Sequence, residues 1–240
     1  MNTQKTAMAE PATGTPAEMI AQAELAEKND DWSAAFRLYR TAAERGDAKA
    51  QTRLGYCYAY AQGVEADAEQ AVAWWRKAAE QGFAAAQSNL GICYSKGEGV
   101  PQNGALAVEY MRRAAEQGLA EAQISLAYAY YKGIADKPDA ASAVAWWRKA
   151  AEQGMPEAQY NLGVCYANGL GVEQDDAKAV EWYTSAAEQG FVDAQFNLAR
   201  CYEDGAGTAK DLSKAREWYT AAAVQGDEEA AEWLNGSGRE

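Results

Sequence analysis

The pentapeptide AAEQG stands at residues 78–82. It returns, unchanged or with one residue altered, at 42–46, 114–118, 150–154, 186–190 and 222–226. Each of its closing glycines lies 36 residues after the previous one. A constant period of this length is typical of a chain built from stacked copies of one supersecondary unit, and not of a single globular core.

Cutting the chain after each closing glycine defines five repeats of 36 positions, which we number one to five: 47–82, 83–118, 119–154, 155–190 and 191–226. Position 8 is always leucine, position 12 is always tyrosine, and position 9 is glycine or alanine. A small residue beside a large one lets a second helix approach closely. Positions 2 to 14 are therefore predicted to form one helix of the repeat, helix A.

A second helix, helix B, is predicted to follow a glycine-bearing loop. A short polar residue suited to helix capping occupies position 21: Asp67, Asn103, Asp139, Asp175 and Asp211. Aromatic residues fill positions 28 and 29 in most repeats, and the closing glycine is suited to end the helix. Repeat three has Ala135 in place of the second loop glycine, so its loop is predicted to take a different path.

The two ends of the chain depart from the repeat. Residues 17–46 are predicted to form a hairpin with a short connection, like that of a tetratricopeptide repeat, and residues 227–240 a capping helix and tail. Residues 1–16 contain Pro, Gly and Thr and are predicted to be a disordered tail. The whole chain is thus predicted to be all-α, with thirteen helices stacked as an α/α superhelical solenoid.

Charge and composition exclude several classes of partner. The formal net charge is −13, from 35 acidic and 22 basic residues, which disfavours nucleic acid and anionic membranes. No apolar run is long enough to insert into a membrane, and the first residues lack the apolar region of a secretion signal. We expect a cytoplasmic monomer, or a periplasmic or secreted one if a leader has been removed.

The repeat pattern resembles a known family. A-Q-x-x-L-G-x-x-Y, then G-x-G-V, then D-x-x-x-A-V-x-W-W-R-K-A-A-E-Q-G is similar to the Sel1-like repeat, a helical-hairpin relative of the tetratricopeptide repeat. The resemblance covers residues 47–226. It implies a right-handed superhelix that serves as an adaptor or scaffold for a protein or peptide partner, and it implies no reaction. It does not identify the partner.

Residues that could carry chemistry are few. The chain has no histidine, and its cysteines all stand at position 11: Cys57, Cys93, Cys165 and Cys201. We predict that these cysteines are reduced and buried, and that the protein needs no metal or cofactor. The protein is expected not to be an enzyme. Two alternatives stay open: a hydrolase of cell-wall or β-lactam substrates, as suggested for some relatives, and a consensus-like repeat protein without a partner.

The tetratricopeptide resemblance places helix A on a concave binding face. Positions 3, 6, 7, 10, 13 and 14 would then line a groove, with its centre at Tyr128, Tyr131 and Tyr160. The asparagines at position 7 either hold a peptide backbone or bond to a neighbouring loop. The predicted groove residues are Lys49, Arg53, Tyr56, Tyr60, Asn89, Ile92, Lys96, Ile124, Tyr128, Tyr131, Lys132, Tyr160, Asn161, Asn168, Phe196, Asn197 and Arg200.

Overall fold

The structure is a computed structural model that describes residues 14–236, and within this range it contains thirteen α-helices and no β-strand. The all-α fold predicted from the period is confirmed. The helices are α1 (Pro16–Lys28), α2 (Trp32–Glu44), α3 (Ala48–Ala59), α4 (Ala68–Glu80), α5 (Ala84–Lys96), α6 (Gly104–Glu116), α7 (Ala120–Lys132), α8 (Ala140–Glu152), α9 (Pro156–Asn168), α10 (Asp176–Glu188), α11 (Val192–Asp204), α12 (Leu212–Val224) and α13 (Glu228–Gly236).

The chain forms two compact units, Met1–Ala114 and Ala115–Glu240. In the first unit α1 to α5 pack in the order of the sequence, and in the second unit α7 to α13 do the same. Packing of each helix against its neighbours along the chain is the arrangement of a solenoid of helical hairpins. Odd-numbered helices from α3 to α11 are the predicted A helices, and even-numbered helices from α4 to α12 are the B helices.

The predicted capping residues begin every B helix. A side-chain oxygen of Asp67 accepts a hydrogen bond from the backbone N–H of Gln70 at 2.9 Å. The residue at position 21 of each later repeat accepts the equivalent bond at 3.0 to 3.1 Å: Asn103, Asp139, Asp175 and Asp211. Each bond satisfies a backbone donor that has no partner inside the helix, so this single residue fixes where helix B starts.

The closing glycine ends helix B in the way the sequence predicts. All six closing glycines have φ between 85° and 98°, a left-handed conformation that other residues rarely adopt. The N–H of Gly82 donates to the carbonyl of Ala79 at 3.0 Å, which completes the last turn. The AAEQG ending therefore stops the helix and turns the chain toward the next repeat.

Leucine and small residues build the core between the two helices of a repeat. The position 8 leucines are completely buried: Leu54, Leu90, Leu126, Leu162 and Leu198. At position 9 of repeat one, a Cβ on Gly55 would collide with the Trp75 indole. The small residue at position 9 is thus required where a large aromatic ring from helix B lies directly against helix A.

Glutamine pairs connect the repeats, a role that the sequence did not reveal. The buried Gln51, at position 5, donates its Nε2 to the carbonyl of Ala43 in the preceding hairpin at 3.3 Å. Its Oε1 accepts from Nε2 of Gln81, at position 35 of the same repeat, at 2.8 Å. The same pair recurs at 2.7 to 2.8 Å in later repeats: Gln123–Gln153, Gln159–Gln189 and Gln195–Gln225.

The loop of repeat three differs from the other loops, as the sequence predicts. At position 17 of the other repeats stand Gly63, Gly99, Gly171 and Gly207, with φ of 68° to 72°. A Cβ on any of these glycines would collide with the first carbonyl of the preceding B helix. Ala135 of repeat three lies outside the left-handed region, and its loop instead folds tightly around Gly133.

The first helix begins inside the segment predicted to be a disordered tail. Residues 1–13 of the predicted tail lie outside the described residues, whereas Thr15 is the N-cap of α1 and Pro16 is its first residue. Helices α1 and α2 form the N-terminal hairpin, and α13 packs on α12 as the final helix. Residues 237–240 of the predicted C-terminal tail lie outside the described residues.

Candidate functional site

Two clefts lie at corresponding places of the repeat. Cleft one, of about 320 Å³, lies between repeats one and two. It is lined by Ala59, Tyr60, Ala68, Ala71, Trp75, Asn89, Ile92, Cys93, Lys96 and Glu98. Positions 13, 14 and 29 of the first repeat face positions 7, 10, 11, 14 and 16 of the next. Four of these lining residues were predicted from the sequence as groove residues: Tyr60, Asn89, Ile92 and Lys96.

Aromatic rings form the floor and one wall of cleft one. The Trp75 ring lies at the floor, and its Nε1 donates to the Thr52 carbonyl at 3.1 Å. Tyr56 packs edge-on against Trp75 with ring centroids 5.6 Å apart, and Tyr60 stacks on Tyr56 at 6.1 Å. Tyr60 is 68% exposed and projects beside the opening. The cleft thus presents a largely apolar aromatic surface.

Cleft two, of about 340 Å³, lies between repeats four and five. Its lining consists of Tyr160, Val164, Ala167, Asn168, Tyr183, Asn197, Arg200, Cys201, Asp204 and Ala206. Eight of these residues stand at the repeat positions that also line cleft one, with tyrosine in place of tryptophan at position 29. Four of the residues were again predicted from the sequence: Tyr160, Asn168, Asn197 and Arg200.

Tyr160 forms the aromatic wall of cleft two. Its ring lies 6.0 Å from that of Tyr183 and 5.2 Å from that of Phe191. Burial raises the pKa of the Tyr160 phenol, and its hydrogen bond with the Asn197 amide partly opposes this rise in pKa. The phenol is therefore neutral at physiological pH and serves as a hydrogen-bonding group, not as an acid or base.

The position 7 asparagines contact tyrosines of the preceding repeat. Asn161 donates its Nδ2 to the Tyr128 hydroxyl at 2.9 Å, and Asn89 accepts from the Tyr56 hydroxyl at 3.3 Å. The predicted bond to a neighbouring loop is therefore not the bond that these amides make. The buried Nδ2 of Asn89 has no hydrogen-bond partner among the described residues.

Repeat three has the same aromatic pair, with a further tyrosine beside it. Tyr128 packs edge-on against Trp147 at 5.3 Å, as Tyr56 does against Trp75. Position 13 is Tyr131 instead of alanine, and its ring lies 5.6 Å from that of Trp147. Ala127 at position 9 brings a Cβ where Gly55 has none, and the Trp147 Nε1 has no hydrogen-bond partner among the described residues.

The three tyrosines predicted at the centre of the groove pack on different aromatic rings. Tyr128 and Tyr131 both contact Trp147, whereas Tyr160 packs on Tyr183 and Phe191. Tyr128 and Tyr160 are half-buried instead of exposed, because position 10 and position 6 turn partly toward helix B. Of the three predicted tyrosines, Tyr131 is the most exposed, at 42%.

The remaining predicted groove residues divide by exposure. The exposed ones are Lys49, Tyr60, Lys96, Lys132, Asn168 and Arg200. The half-buried ones are Arg53, Tyr56, Asn89, Ile92, Asn161, Phe196 and Asn197. Of the half-buried group, Asn89, Ile92 and Asn197 line the clefts.

Two predicted groove residues have other roles. The prediction that Ile124 lines the groove is wrong. Ile124 is 6% exposed and belongs to the core with Trp147 and Leu162, because position 6 of repeat three faces helix B. Lys49 is exposed, but its Nζ forms an ion pair with Glu24 of α1 at 2.7 Å. Its positive charge is therefore partly balanced by the Glu24 carboxylate.

The cysteines are unpaired, and two of them line the clefts. Cys57, Cys93 and Cys165 are buried, as predicted, while Cys201 is partly exposed in cleft two. Burial raises the pKa of each thiol to about 11. These thiols are therefore protonated at neutral pH and are weak nucleophiles.

Residues 14–236 bring together no group of three or more His, Cys, Asp or Glu side chains that could hold a metal ion. None of the helices in this range combines the length and apolar character that crossing a bilayer requires. The candidate site consists of the two clefts and the aromatic and amide groups that line them.

The sequential hairpins define a solenoid repeat protein of the tetratricopeptide class. The Sel1 repeat family matches the chain at residues 31–47, 48–83, 84–119, 120–155, 156–191 and 192–227. The chain belongs to the Sel1 repeat family. The match includes α2 of the N-terminal hairpin as a further, shorter repeat, in addition to the five repeats identified by their glycines.

Solved structures of similar proteins agree with this assignment. A Sel1 repeat protein from Oxalobacter formigenes is 37% identical with a TM-score of 0.81, covering 91% of this chain and 87% of that one. The protective antigen c5321 of uropathogenic Escherichia coli, which displays the same fold, is 35% identical with a TM-score of 0.81. That match covers 91% of this chain but 50% of the antigen.

A more distant structure shares the fold alone. YrrB, a TPR protein with an unusual peptide-binding site, is 21% identical with a TM-score of 0.52, over 82% of this chain and 97% of its own. Among curated proteins, none is similar enough to this chain to count as a match.

Proposed function

We propose that this protein is a non-catalytic scaffold that binds peptide segments of a partner protein through cleft one and cleft two. The observation that carries the proposal is that open clefts recur at the same repeat positions, although the repeat fixes only part of their lining. The residues that build the solenoid are the same from repeat to repeat, whereas the cleft linings vary. Such variable, open surfaces can determine which partner binds.

The chemistry of the linings supports a peptide. Tyr60, which is 68% exposed, and the partly exposed Tyr160 offer apolar contact area with little conformational freedom to lose, which favours protein recognition. Asn89 and Asn197 add amides that can donate to or accept from peptide groups. YrrB, which shares the fold, is described as having a peptide-binding site, so the architecture is compatible with this role.

The lining offers little support for catalysis. The Cys93 and Cys201 thiols have pKa values of about 11, so neither is an activated nucleophile. The Lys96 ammonium forms an exposed ion pair with the Glu98 carboxylate at 3.6 Å. We expect no turnover of a chromogenic β-lactam above that of an unrelated control protein. Turnover that scales with protein concentration would contradict the non-catalytic proposal.

Selection of peptides from a random displayed library against the whole chain tests the binding role. Peptides that survive selection are measured by fluorescence anisotropy on the wild type, on Ile92→Glu and on Arg200→Glu. We expect one of these variants to weaken each peptide by at least about tenfold, because a residue central to an interface commonly contributes 2 kcal/mol or more.

Arg148→Ala is the matched control on the exposed side of helix B, where Arg148 donates to the Tyr166 hydroxyl at 2.9 Å. It should change peptide affinity by less than about twofold, as expected for a residue outside the interface. Peptides that bind both cleft variants normally and fail on Arg148→Ala would place recognition on the helix-B side and overturn the proposal.

A further inference from the structure

The chain itself shows what fills a cleft of this kind. In repeat three the place beside the position 29 aromatic is occupied by Tyr131, whose ring lies 5.6 Å from that of Trp147. Repeats one and four carry Ala59 and Ala167 at the same position, and there the clefts are open. A change at position 13 from tyrosine to alanine thus accompanies the change from a filled place to an open one.

The C-terminal end gives a second, independent example. Trp233 of α13 stacks on Tyr219, the position 29 aromatic of repeat five, with ring centroids 4.3 Å apart. The Glu203 carboxylate, at position 13, accepts from the Tyr219 hydroxyl and from the Trp233 Nε1, each at 2.8 Å. Although the filling side chain comes from a different element, it is again an aromatic ring against the position 29 aromatic.

We propose that cleft one and cleft two each accept an aromatic side chain from the bound peptide, in the place that Tyr131 and Trp233 fill in their own repeats. This inference rests on the scaffold function proposed above and names the anchor residue of its partner. The floor residues Trp75 and Tyr183 present the same kind of ring that Trp147 and Tyr219 present to their internal partners. Ring pairs of this kind contribute beyond their buried area.

The polar groups of cleft one agree with a neutral aromatic anchor. Its two charged lining residues, Lys96 and Glu98, form an ion pair at 3.6 Å, so the lining carries no net charge. The Asn89 amide also lines the cleft, and its Oδ1 already accepts from the Tyr56 hydroxyl at 3.3 Å.

Closing and opening the clefts one residue at a time tests this inference. The probe is N-acetyl-tyrosinamide, with N-acetyl-leucinamide as the aliphatic comparison, and binding is followed by NMR of the Ile92 and Val164 methyl groups. Ala59→Tyr and Ala167→Tyr close the two clefts, while Tyr131→Ala opens the place beside Trp147. Each variant installs a residue that the chain already carries at position 13, so the helix is expected to form.

We expect the tyrosine probe to shift both methyl signals in the wild type, with the leucine probe at least about fivefold weaker. Ala59→Tyr should abolish the Ile92 shift alone, and Ala167→Tyr the Val164 shift alone. Tyr131→Ala should add a new response at the Trp147 indole N–H. Ala73→Tyr, which adds a tyrosine at an exposed position of α4, should leave all of these responses unchanged.

Equal shifts with the leucine probe, or shifts that persist in the closing variants, would overturn the aromatic anchor. So would a wild type whose cleft methyls do not respond to the tyrosine probe. If selected peptides still lose affinity with Ile92→Glu or Arg200→Glu in that case, the scaffold function stands and only the anchor is wrong. If no selected peptide depends on either cleft, the scaffold function itself fails.

Discussion

Cleft one and cleft two share eight repeat positions and carry different side chains at five of them, of which three change the ring or the charge most clearly. Position 29 is Trp75 in the first and Tyr183 in the second. Position 10 of the following repeat is the aliphatic Ile92 in cleft one and the exposed cation Arg200 in cleft two. Position 14 of the same repeat is Lys96, paired with Glu98, in cleft one, and Asp204 in cleft two.

The difference separates what the repeat determines from what it leaves variable. Helix caps, closing glycines and glutamine pairs are common to both places and set the position and depth of each cleft. The lining residues then set its polarity. Each lining has one cation and one anion: Lys96 and Glu98, which form an ion pair, in cleft one, and Arg200 and Asp204 in cleft two. The predictions below test this separation, beginning with the largest expected effect.

Removing the floor ring should have the largest effect, and a similar one at both clefts. Trp75→Ala and Tyr183→Ala each delete a nearly buried aromatic side chain, so the free energy of unfolding should fall by about 3–5 kcal/mol in each case. Denaturant titration followed by circular dichroism measures the loss. If only one of the two variants lowered the free energy of unfolding, Trp75 and Tyr183 would not be structurally equivalent.

Trp74→Ala is the matched control, because Trp74 is only half-buried and its ring is covered by the Lys77 Nζ at 3.7 Å from the centroid. This change should lower the free energy of unfolding by about 1 kcal/mol, as for an exposed cation–π contact.

Thiol reactivity should show the shared environment of the two clefts. The Cys93 and Cys201 pKa values of about 11 lie well above the ordinary value, so reaction with a disulfide reagent at pH 8 should be roughly 100-fold slower than for an unfolded chain. Because burial favours the protonated form, the rates should rise through pH 11. The stabilisation linked to these thiols should be lost between about pH 9 and pH 11.

Single-cysteine variants that retain either Cys93 or Cys201, with alanine at the other three sites, separate pKa from access. Repeat three already carries Ala129 at position 11, so alanine is compatible with the fold. The two pH profiles should coincide, while the partly exposed Cys201 should react faster at every pH. Profiles with different midpoints would mean that the thiols lie in different electrostatic surroundings.

The glutamine pairs should contribute equally beside the two clefts. Gln51→Ala removes one hydrogen bond to the Ala43 carbonyl and one from the Gln81 amide, and Gln195→Ala removes the equivalent bonds to Ala187 and from Gln225. Each change should lower the free energy of unfolding by about 1–2 kcal/mol, because buried polar groups lose their hydrogen bonds. Thermal and denaturant unfolding give the values.

Gln174→Ala provides the control, because Gln174 is exposed and its contact with Asp176 is a surface hydrogen bond. A change within about 0.5 kcal/mol is expected there. Unequal losses of unfolding free energy for Gln51→Ala and Gln195→Ala would show that the glutamine pairs contribute differently in the first and second units.

The smallest predicted effect concerns charge at the rim. Arg200→Ala should weaken peptides that carry a carboxylate next to their aromatic residue by up to about fivefold, the range of an exposed ion pair. Lys96→Ala should leave the same peptides nearly unchanged, because the Lys96 Nζ is already paired with Glu98. Anisotropy titrations at low and high salt measure both, and the Arg200 effect should vanish at high salt.

Much of the fold could be predicted from the sequence because it depends on local rules that repeat in phase. Asp67 and its counterparts mark helix starts by capping, and Gly82 and its counterparts mark helix ends by a left-handed φ. Each rule involves residues a few positions apart, so the pattern alone is informative. The glutamine pairs escaped prediction because Gln51 and Gln81 are 30 residues apart and their contact depends on how the helices pack.

The site was predicted less completely for the same reason. Helix periodicity placed Tyr60, Asn89, Ile92 and Lys96 on one face, and the structure brings them to one cleft. It could not separate Tyr131, which is exposed, from Ile124, which is buried, because both follow the helix stripe and only the packing of helix B distinguishes them. The aligned repeats do show alanine at position 13 in repeat one, Ala59, and tyrosine in repeat three, Tyr131, and this contrast indicates where the lining of a cleft can vary.

The glutamine pairs also constrain how a chain of this kind can change its length. Inserting one residue into helix A would rotate Gln51 by about 100° and carry its amide away from both the Ala43 carbonyl and Gln81. A duplication of one whole repeat, in contrast, carries a glutamine at position 5 and another at position 35, and so restores both connections at each new junction. Genes for such chains are therefore expected to grow and shrink by tandem copying of whole repeats of 36 codons, roughly 108 nucleotides each. Small insertions are expected only in the loops.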